Sequence, residues 1–449
     1  MIDRQVSSIS LVDITISKIR VGVVLASALY FVCLYYIYVF ELRRWDYLGF
    51  PLGDYSVPAL LYCFVLAMIP AMMFPLFLRR LSVFVVWFVY FFIFVPALLY
   101  PVLQAYRDDT LLLSTALFLG MLLLFICSGA SSGHLDIRVS RRWFLRLFML
   151  AYIALVLYVF YVFRDSLSLA DITDVYGQRA QADIAADGTY VGYATGVLSG
   201  AFNPFLIGVG LVHRRHRLLV LGVGGQIFIY ATFALKSVLL SIGVIPLMYF
   251  LVFRGERPRA LNVALFCLAM MAGPVLLGLF YSADDSVLYE NFMALVYMRI
   301  VGMVGALTGV YYDFFAQSAV TLYSHINVLG RLFGYPYSMQ IGQVIGEFMG
   351  LDMNANANFF ATDGLAAAGL LGVVFIGAVV GICLRFFDMV VPARNVRLMC
   401  VVAVPSLVNL ANSSWFTTLL TGGFLILVLC VALWNSEAST VHPSTTGAN

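Results

Sequence analysis

The chain has 449 residues, 63% of them hydrophobic and only 11% charged, with a formal net charge of +3. Soluble globular domains carry roughly a quarter of their residues as charges, so this composition excludes a soluble enzyme or a nucleic-acid binder and marks a polytopic membrane protein. The bilayer then acts as solvent and one helical bundle can absorb most of the chain, so we expect an all-α single domain over residues 1–434 and a disordered, cytoplasmic Ser/Thr/Pro/Gly tail over 435–449.

A hydrocarbon core about 30 Å thick needs roughly 20 apolar residues of helix. Taken in order, such windows fall near 21–40, 56–78, 82–103, 111–131, 144–163, 191–212, 218–234, 237–253, 261–281, 364–384, 397–412 and 416–434. They predict about twelve spans with both termini on one side. The first run is a full span without a small-residue cleavage site after it, so no cleavable signal peptide is expected. If the N-terminus is inside, 18 of the 26 Lys and Arg fall on the inner face and 17 of the 23 Asp and Glu on the outer. That sorting follows the retention of cations in cytoplasmic loops. All seven cysteines lie within apolar runs and read as small buried hydrophobes, with no disulfide framework and no metal spacing.

Two outer loops are large, 164–190 and 282–363. The first is acidic, with Asp171, Asp174, Asp183 and Asp187 around a central Arg179 and beside Tyr176. A solvated loop with one local ion pair explains this pattern as well as a ligand site does. Next, the apolar stretch 218–253 holds Lys236 near its middle. Each arm of about 18 residues rises only about 27 Å, which sets the ammonium just below the outer surface, either snorkelling outward or lining a water-filled cavity. The corresponding turn of the last hairpin carries Asn409, Asn412, Ser413 and Ser414, which either line the same cavity or cap two helix ends, capping being the favoured role.

The second loop concentrates the remaining chemistry. From Ile300 to Val328 the residues read as helices lying at or dipping into the interface, with Arg299 and Asp313 on nearly one face if the helix is continuous, and Gly302, Gly305 and Gly309 on one face to allow close packing on the bundle. Eight tyrosines between Tyr281 and Tyr337, Tyr311 and Tyr312 among them, suit an interfacial aromatic belt or a wall for sugar rings. His325 is the one histidine on the outer side and stands between Asp313 and Arg331. A structural histidine and a general base remain alternatives. Asn354, Asn356 and Asn358 alternate with alanine, as a turn or extended piece would. Asp363 follows at the predicted start of the tenth span, where capping that helix is its expected role.

The string NANANFFATDGLAAAGLLG from Asn354 to Gly372 resembles the carboxy-terminal signature of the oligosaccharide repeat-unit polymerases, the O-antigen polymerase (Wzy) family. RIVGMVGALTGVYYDFFAQSAVTLYSH, from Arg299 to His325, is similar to the family's run of arginine, Pro-Gly, aromatics and Ser-His, departing from it at Val304-Gly305. DVYGQRA around Arg179 and ALKS around Lys236 fit as well, so the resemblance covers roughly residues 171–375.

The resemblance implies a multi-pass inner-membrane enzyme of GT-C-like architecture with its active site on the periplasmic face. Its substrate would be an undecaprenyl-pyrophosphate-linked glycan held at the membrane lipid, and a chain-length regulator (co-polymerase) would be a partner. The leaving group would be a lipid pyrophosphate, which calls for cations at its oxygens and a base at the attacking hydroxyl. In that scheme Arg179 and Arg299 clamp the pyrophosphate, with Lys236 or Arg331 adding charge. His325 is the base, and Asp313 orients it or pairs Arg299. Tyr176, Tyr311, Tyr312, Asn356 and Asn358 contact glycan. Neither a metal nor another cofactor is expected. O-antigen ligase and lipid-linked oligosaccharide flippase are the competing readings.

Overall fold

The computed structural model describes residues 2–129, 133–135, 137, 139–165, 167, 182, 184, 186, 188–255, 257–278, 293–326, 329–330, 332 and 334–434. Among these residues all regular secondary structure is helical, apart from one isolated bridge between Phe77 and Arg259. The helices in order are α1 (Ile16–Leu48), α2 (Val57–Met73), α3 (Leu81–Gln104), α4 (Thr110–Cys127), α5 (Arg141–Phe163), α6 (Val191–Val212), α7 (His216–Phe233), α8 (Lys236–Phe253) and α9 (Ala260–Gly278). They continue with α10 (294–317), α11 (Ile341–Phe348), α12 (Phe360–Val390), α13 (Ala393–Leu410), α14 (Trp415–Leu419) and α15 (Phe424–Leu433). Nine of the described helices, α1, α3 to α8, α12 and α13, are long and apolar enough to cross a membrane, while α2, α15 and the stretch Ala260–Gly273 of α9 are apolar but shorter. The protein is therefore a multi-pass membrane protein.

Local chemistry explains where these helices start and stop. Ser56 accepts a hydrogen bond from Ala59 N at 3.3 Å, ahead of α2 with its early Pro58, and Ser140 accepts from Trp143 N at 3.3 Å ahead of α5. Each bond satisfies one of the free N–H groups of a first turn. Ala105 (φ 49°) and Ala234 (φ 50°) take the left-handed conformation that ends α3 and α7. Lys236 follows that second turn as the first residue of α8 and is exposed.

Helix α3 is apolar on every side and is buried along its length, whereas α5 leaves most of its surface exposed, as a helix facing lipid does. The polar groups of the central aromatics find backbone partners inside the bundle. Trp87 Nε1 donates to Pro75 O (2.8 Å), Tyr90 Oη to Ala67 O (3.0 Å) and Tyr30 Oη to Phe91 O (2.7 Å).

Helix α10 packs into the bundle and not merely onto it. Residues Met303–Tyr312 are all buried, and the helix packs against the second half of α3 in the middle of the bundle. The glycine face does what its spacing suggested. A Cβ on Gly305 would lie 2.5 Å from Pro96 O, so only glycine permits this approach of the two backbones. The seven cysteines are all free thiols within or partly within the core.

Candidate functional site

The site is built on a break in α12. Ala368 (φ −153°, ψ 31°) and Gly369 (φ 61°, ψ −144°) leave the helix, and the second of these conformations is essentially restricted to glycine. In an unbroken helix the carbonyls of Ala366 and Ala367 would accept from Leu370 and Leu371. Here they accept instead from Thr321 N (2.7 Å) and Leu322 N (2.9 Å). The broken helix thus pins the turn that follows α10. Within that turn Leu322 (φ 46°) and Tyr323 (φ 64°) are both left-handed, a conformation that costs roughly 1–2 kcal/mol per non-glycine residue. Ser324 secures the turn by donating from its N (2.8 Å) and its Oγ (2.6 Å) to Thr321 O.

The next residue is His325. Its Nε2 lies 3.2 Å from Asp363 Oδ1 and its Nδ1 lies 2.9 Å from Thr321 Oγ1. The Asp363 side chain is completely buried and that of His325 is 8% exposed. A buried carboxylate is tolerated only when donors surround it. Asp363 has two further ones, Ser414 Oγ on Oδ1 (2.6 Å) and Trp415 N on Oδ2 (2.6 Å). One carboxylate in the first turn of α12 therefore ties together the His325 turn and the start of α14. It does not cap its own helix, as the sequence suggested; it caps α14 together with Ser414, whose Oγ accepts from Phe416 N (3.1 Å).

His325 faces a cavity of about 900 Å³, large enough for a substantial ligand. Its wall includes Tyr193, Ser324, Tyr335, Asn356, Thr362 and Ser414. Asparagine, serine and threonine side chains dominate, and among the described lining residues only His325 can carry a positive charge. The phenols of Tyr323 and Tyr335 are each pushed up to about 12, chiefly by burial, with Asp363 contributing at Tyr323 and Tyr337 at Tyr335. Both remain O–H donors, and neither hydroxyl has a hydrogen-bond partner among the described residues. A second space of about 280 Å³ adjoins the first, sharing Ser413 and Thr417 and adding Asn409, Asn412 and Ser237, the neighbour of Lys236. The polar turn after α13 thus lines both spaces in addition to capping α14.

The residues singled out in the sequence are divided by this geometry. His325 and Asn356 are brought to the cavity. Asp313 is not the partner of His325. It lies in α10 beside Tyr106, whose phenol is pushed up to about 12 by burial and, secondarily, by the Asp313 charge. Arg299 is exposed in the first part of α10 and does not line the cavity.

Tyr311 and Asn358 are fully buried, which corrects their reading as glycan contacts. Tyr311 Oη donates to Ala355 O (3.1 Å), while Asn358 Nδ2 donates to Val304 O (2.9 Å) and Thr308 Oγ1 (2.8 Å). They fasten the 354–358 segment to α10 beneath the cavity and leave no group for a ligand. Tyr312 is also buried, and the Arg107 guanidinium covers its ring at 5.2 Å. Arg179, Arg331 and Tyr176 lie outside the described residues.

The sequence reading missed Thr321 as a member of the site, favoured capping alone for Ser414 and misassigned Asp363. Asp363 is 38 positions from His325 and 51 from Ser414, so no local spacing could have joined them. Only the Ser324-His325 pair and the glycine after three alanines were visible hints. Among the described residues no three His, Cys, Asp or Glu side chains converge as metal ligands would. No protein-family model, no curated protein and no solved structure matches the chain.

Proposed function

We propose that this protein polymerises oligosaccharide repeat units carried on undecaprenyl pyrophosphate. It transfers the growing glycan from its lipid carrier to the non-reducing end of another lipid-linked unit on the outer leaflet. The observation that carries the reading is the large cavity that brings a buried carboxylate–histidine pair to a wall of neutral hydroxyl and carboxamide side chains. Such a wall suits sugar hydroxyls, which ask for hydrogen-bond donors and acceptors without charge. The pair suits a proton to be removed from one of them.

In the reaction the acceptor hydroxyl gives its proton to His325 while its oxygen forms the new glycosidic bond. The bond from the anomeric carbon to the pyrophosphate oxygen breaks, and the electron pair leaves with the lipid pyrophosphate. Asp363 holds the imidazole and offsets the charge it gains. Because no arginine or lysine among the described residues lines the cavity, the reading assigns the pyrophosphate clamp to Arg179 and Arg331, which lie outside those residues. The topology that goes with this reading has twelve spans, with α2, α9 and α15 as the shorter ones, and termini in the cytoplasm. The cavity then opens to the periplasmic side of a bacterial inner membrane, where a chain-length regulator would meet it. The GT-C-like architecture belongs to the same proposal.

The test is incubation of purified protein with a single lipid-linked repeat unit. A ladder of longer lipid-linked chains is expected. Transfer only to lipid A core would replace the polymerase by a ligase, and leaflet translocation without any new glycosidic bond would make the protein a transporter.

A further inference from the structure

Both ring nitrogens of His325 are already engaged, which raises the question of how the imidazole takes up a proton. An ionised carboxylate only accepts hydrogen bonds, so the nitrogen facing Asp363 must carry a hydrogen. In the neutral ring the lone pair then lies on Nδ1, 2.9 Å from Thr321 Oγ1. The Thr321 hydroxyl has one proton but two acceptors in reach, Nδ1 and Ala366 O at 3.0 Å. A carbonyl oxygen has two lone pairs, so Ala366 O has room for this bond beside the one from Thr321 N.

We propose that Thr321 is a positioning residue whose rotating hydroxyl lets His325 change charge without losing a partner. While the ring is neutral, Thr321 donates to Nδ1. The Thr321 O–H first turns to Ala366 O, which frees the Nδ1 lone pair for the acceptor's proton, and the Thr321 oxygen then accepts the new Nδ1–H. Afterwards the proton leaves Nδ1 for water or for the departing pyrophosphate, and the hydroxyl turns back. The break at Gly369 is what presents the Ala366 carbonyl for this exchange. The proposal rests on the reading of His325 as the base of glycosyl transfer.

The surroundings favour this use of a hydroxyl. From α12 His325 meets the Asp363 carboxylate, while the neutral Thr362 and Ser414 line the same cavity. Its own turn contributes the Tyr323 phenol, with ring centres 6.1 Å apart, and the 334–340 segment contributes Tyr335 across the cavity. Asp363 is thus the one anionic neighbour among the described residues, and no described cation opposes the imidazolium. The charged ring needs a second acceptor at Nδ1, and the Thr321 oxygen is placed to supply it.

The experiment is an ¹⁵N NMR titration of the full-length protein in lipid nanodiscs with labelled imidazoles, the His325 signal being assigned by its loss in His325→Gln. Thr321→Val removes the hydroxyl at nearly constant shape. The unpartnered Nδ1–H then penalises the charged ring most, and the His325 midpoint is expected to fall by about one pH unit. Thr321→Ser is expected to keep the original midpoint. A Thr321→Val curve that overlays the parent, or a Thr321→Ser curve displaced as far as that of Thr321→Val, overturns the proposal. If Thr321→Val does not fold, Thr321→Ala is read by the same criterion. Ladder formation separates the two claims. If His325→Gln polymerises at the parent rate while Thr321→Val still displaces the midpoint, the base assignment falls and the rotating hydroxyl stands. If His325→Gln abolishes the ladder and the Thr321→Val midpoint is unmoved, the hydroxyl proposal falls and the base stands.

Discussion

Tyr152, Asn203, Gln226 and Ser241 make one buried polar cluster in this apolar bundle, and Thr321, His325, Asp363 and Ser414 make another. The first joins α5, α6, α7 and α8. Tyr152 Oη donates to Asn203 Oδ1 (3.1 Å), Asn203 Nδ2 to Gln226 Oε1 (3.4 Å), and Gln226 Nε2 to both Ser199 O (3.0 Å) and Ser241 Oγ (2.9 Å). It closes on itself, borders neither cavity and contains no carboxylate or imidazole. The second cluster is as fully bonded but holds an acid and a base, rests on a strained turn and opens on a large space. Satisfied hydrogen bonds are thus common to both and say nothing about function. Titratable members beside a cavity distinguish the second, which is where perturbable acid–base groups gather in working sites.

The comparison is broken most forcefully at Asp363. Asp363→Asn keeps the size but removes the charge that supports a protonated His325, and polymerisation is expected to fall by about 10²- to 10⁴-fold, the range of general acid–base contributions. Rates with purified lipid-linked substrate measure this, and a near-parent rate in Asp363→Asn would reduce the cluster to packing. Gly369→Ala comes next. Its backbone conformation excludes a Cβ at a cost of about 1–3 kcal/mol, so the thermal midpoint in detergent should drop and polymerisation should drop with it, because the carbonyls that hold the His325 turn move. A loss of stability with unchanged rate would disconnect the helix break from the site.

Gln226→Leu probes the other cluster. Side-chain hydrogen bonds between membrane helices contribute on the order of 1 kcal/mol, so a modest fall in thermal midpoint and a parent-like rate are expected. An inactive but folded Gln226→Leu protein would place that cluster within the mechanism.

The smallest effect concerns the turn before α4, where Arg107 meets both oxygens of Asp109 at 2.8 and 2.9 Å. The hydrogen bonds from Arg107 hold the Asp109 carboxyl below the usual carboxylate range. A depressed folded value means that the contribution is complete above the ordinary carboxylate pKa and is lost as the pH falls through the lower folded one. Between about pH 5 and pH 3, the parent should lose slightly more thermal stability than Arg107→Ala, which has no such contribution to lose.

Composition and hydropathy were sufficient to identify a helical membrane protein and to place its apolar helices, because burial in lipid imposes a length and polarity that every span must meet separately. The alternating asparagines, the Ser324-His325 pair and the glycine face of α10 were visible for the same reason, as patterns within one segment. Tertiary structure alone decided that Asp363, and not Asp313, faces His325. It also decided that α10 is buried within the bundle and that Tyr311 and Asn358 are spent on backbone contacts. These outcomes depend on distant segments. A break at Gly369 exposes two carbonyls, the turn after α10 is drawn onto them, and α14 supplies the remaining donors to one carboxylate. Each contact joins residues tens of positions apart, and no periodicity within a single helix encodes which distant side chain will complete a buried charge.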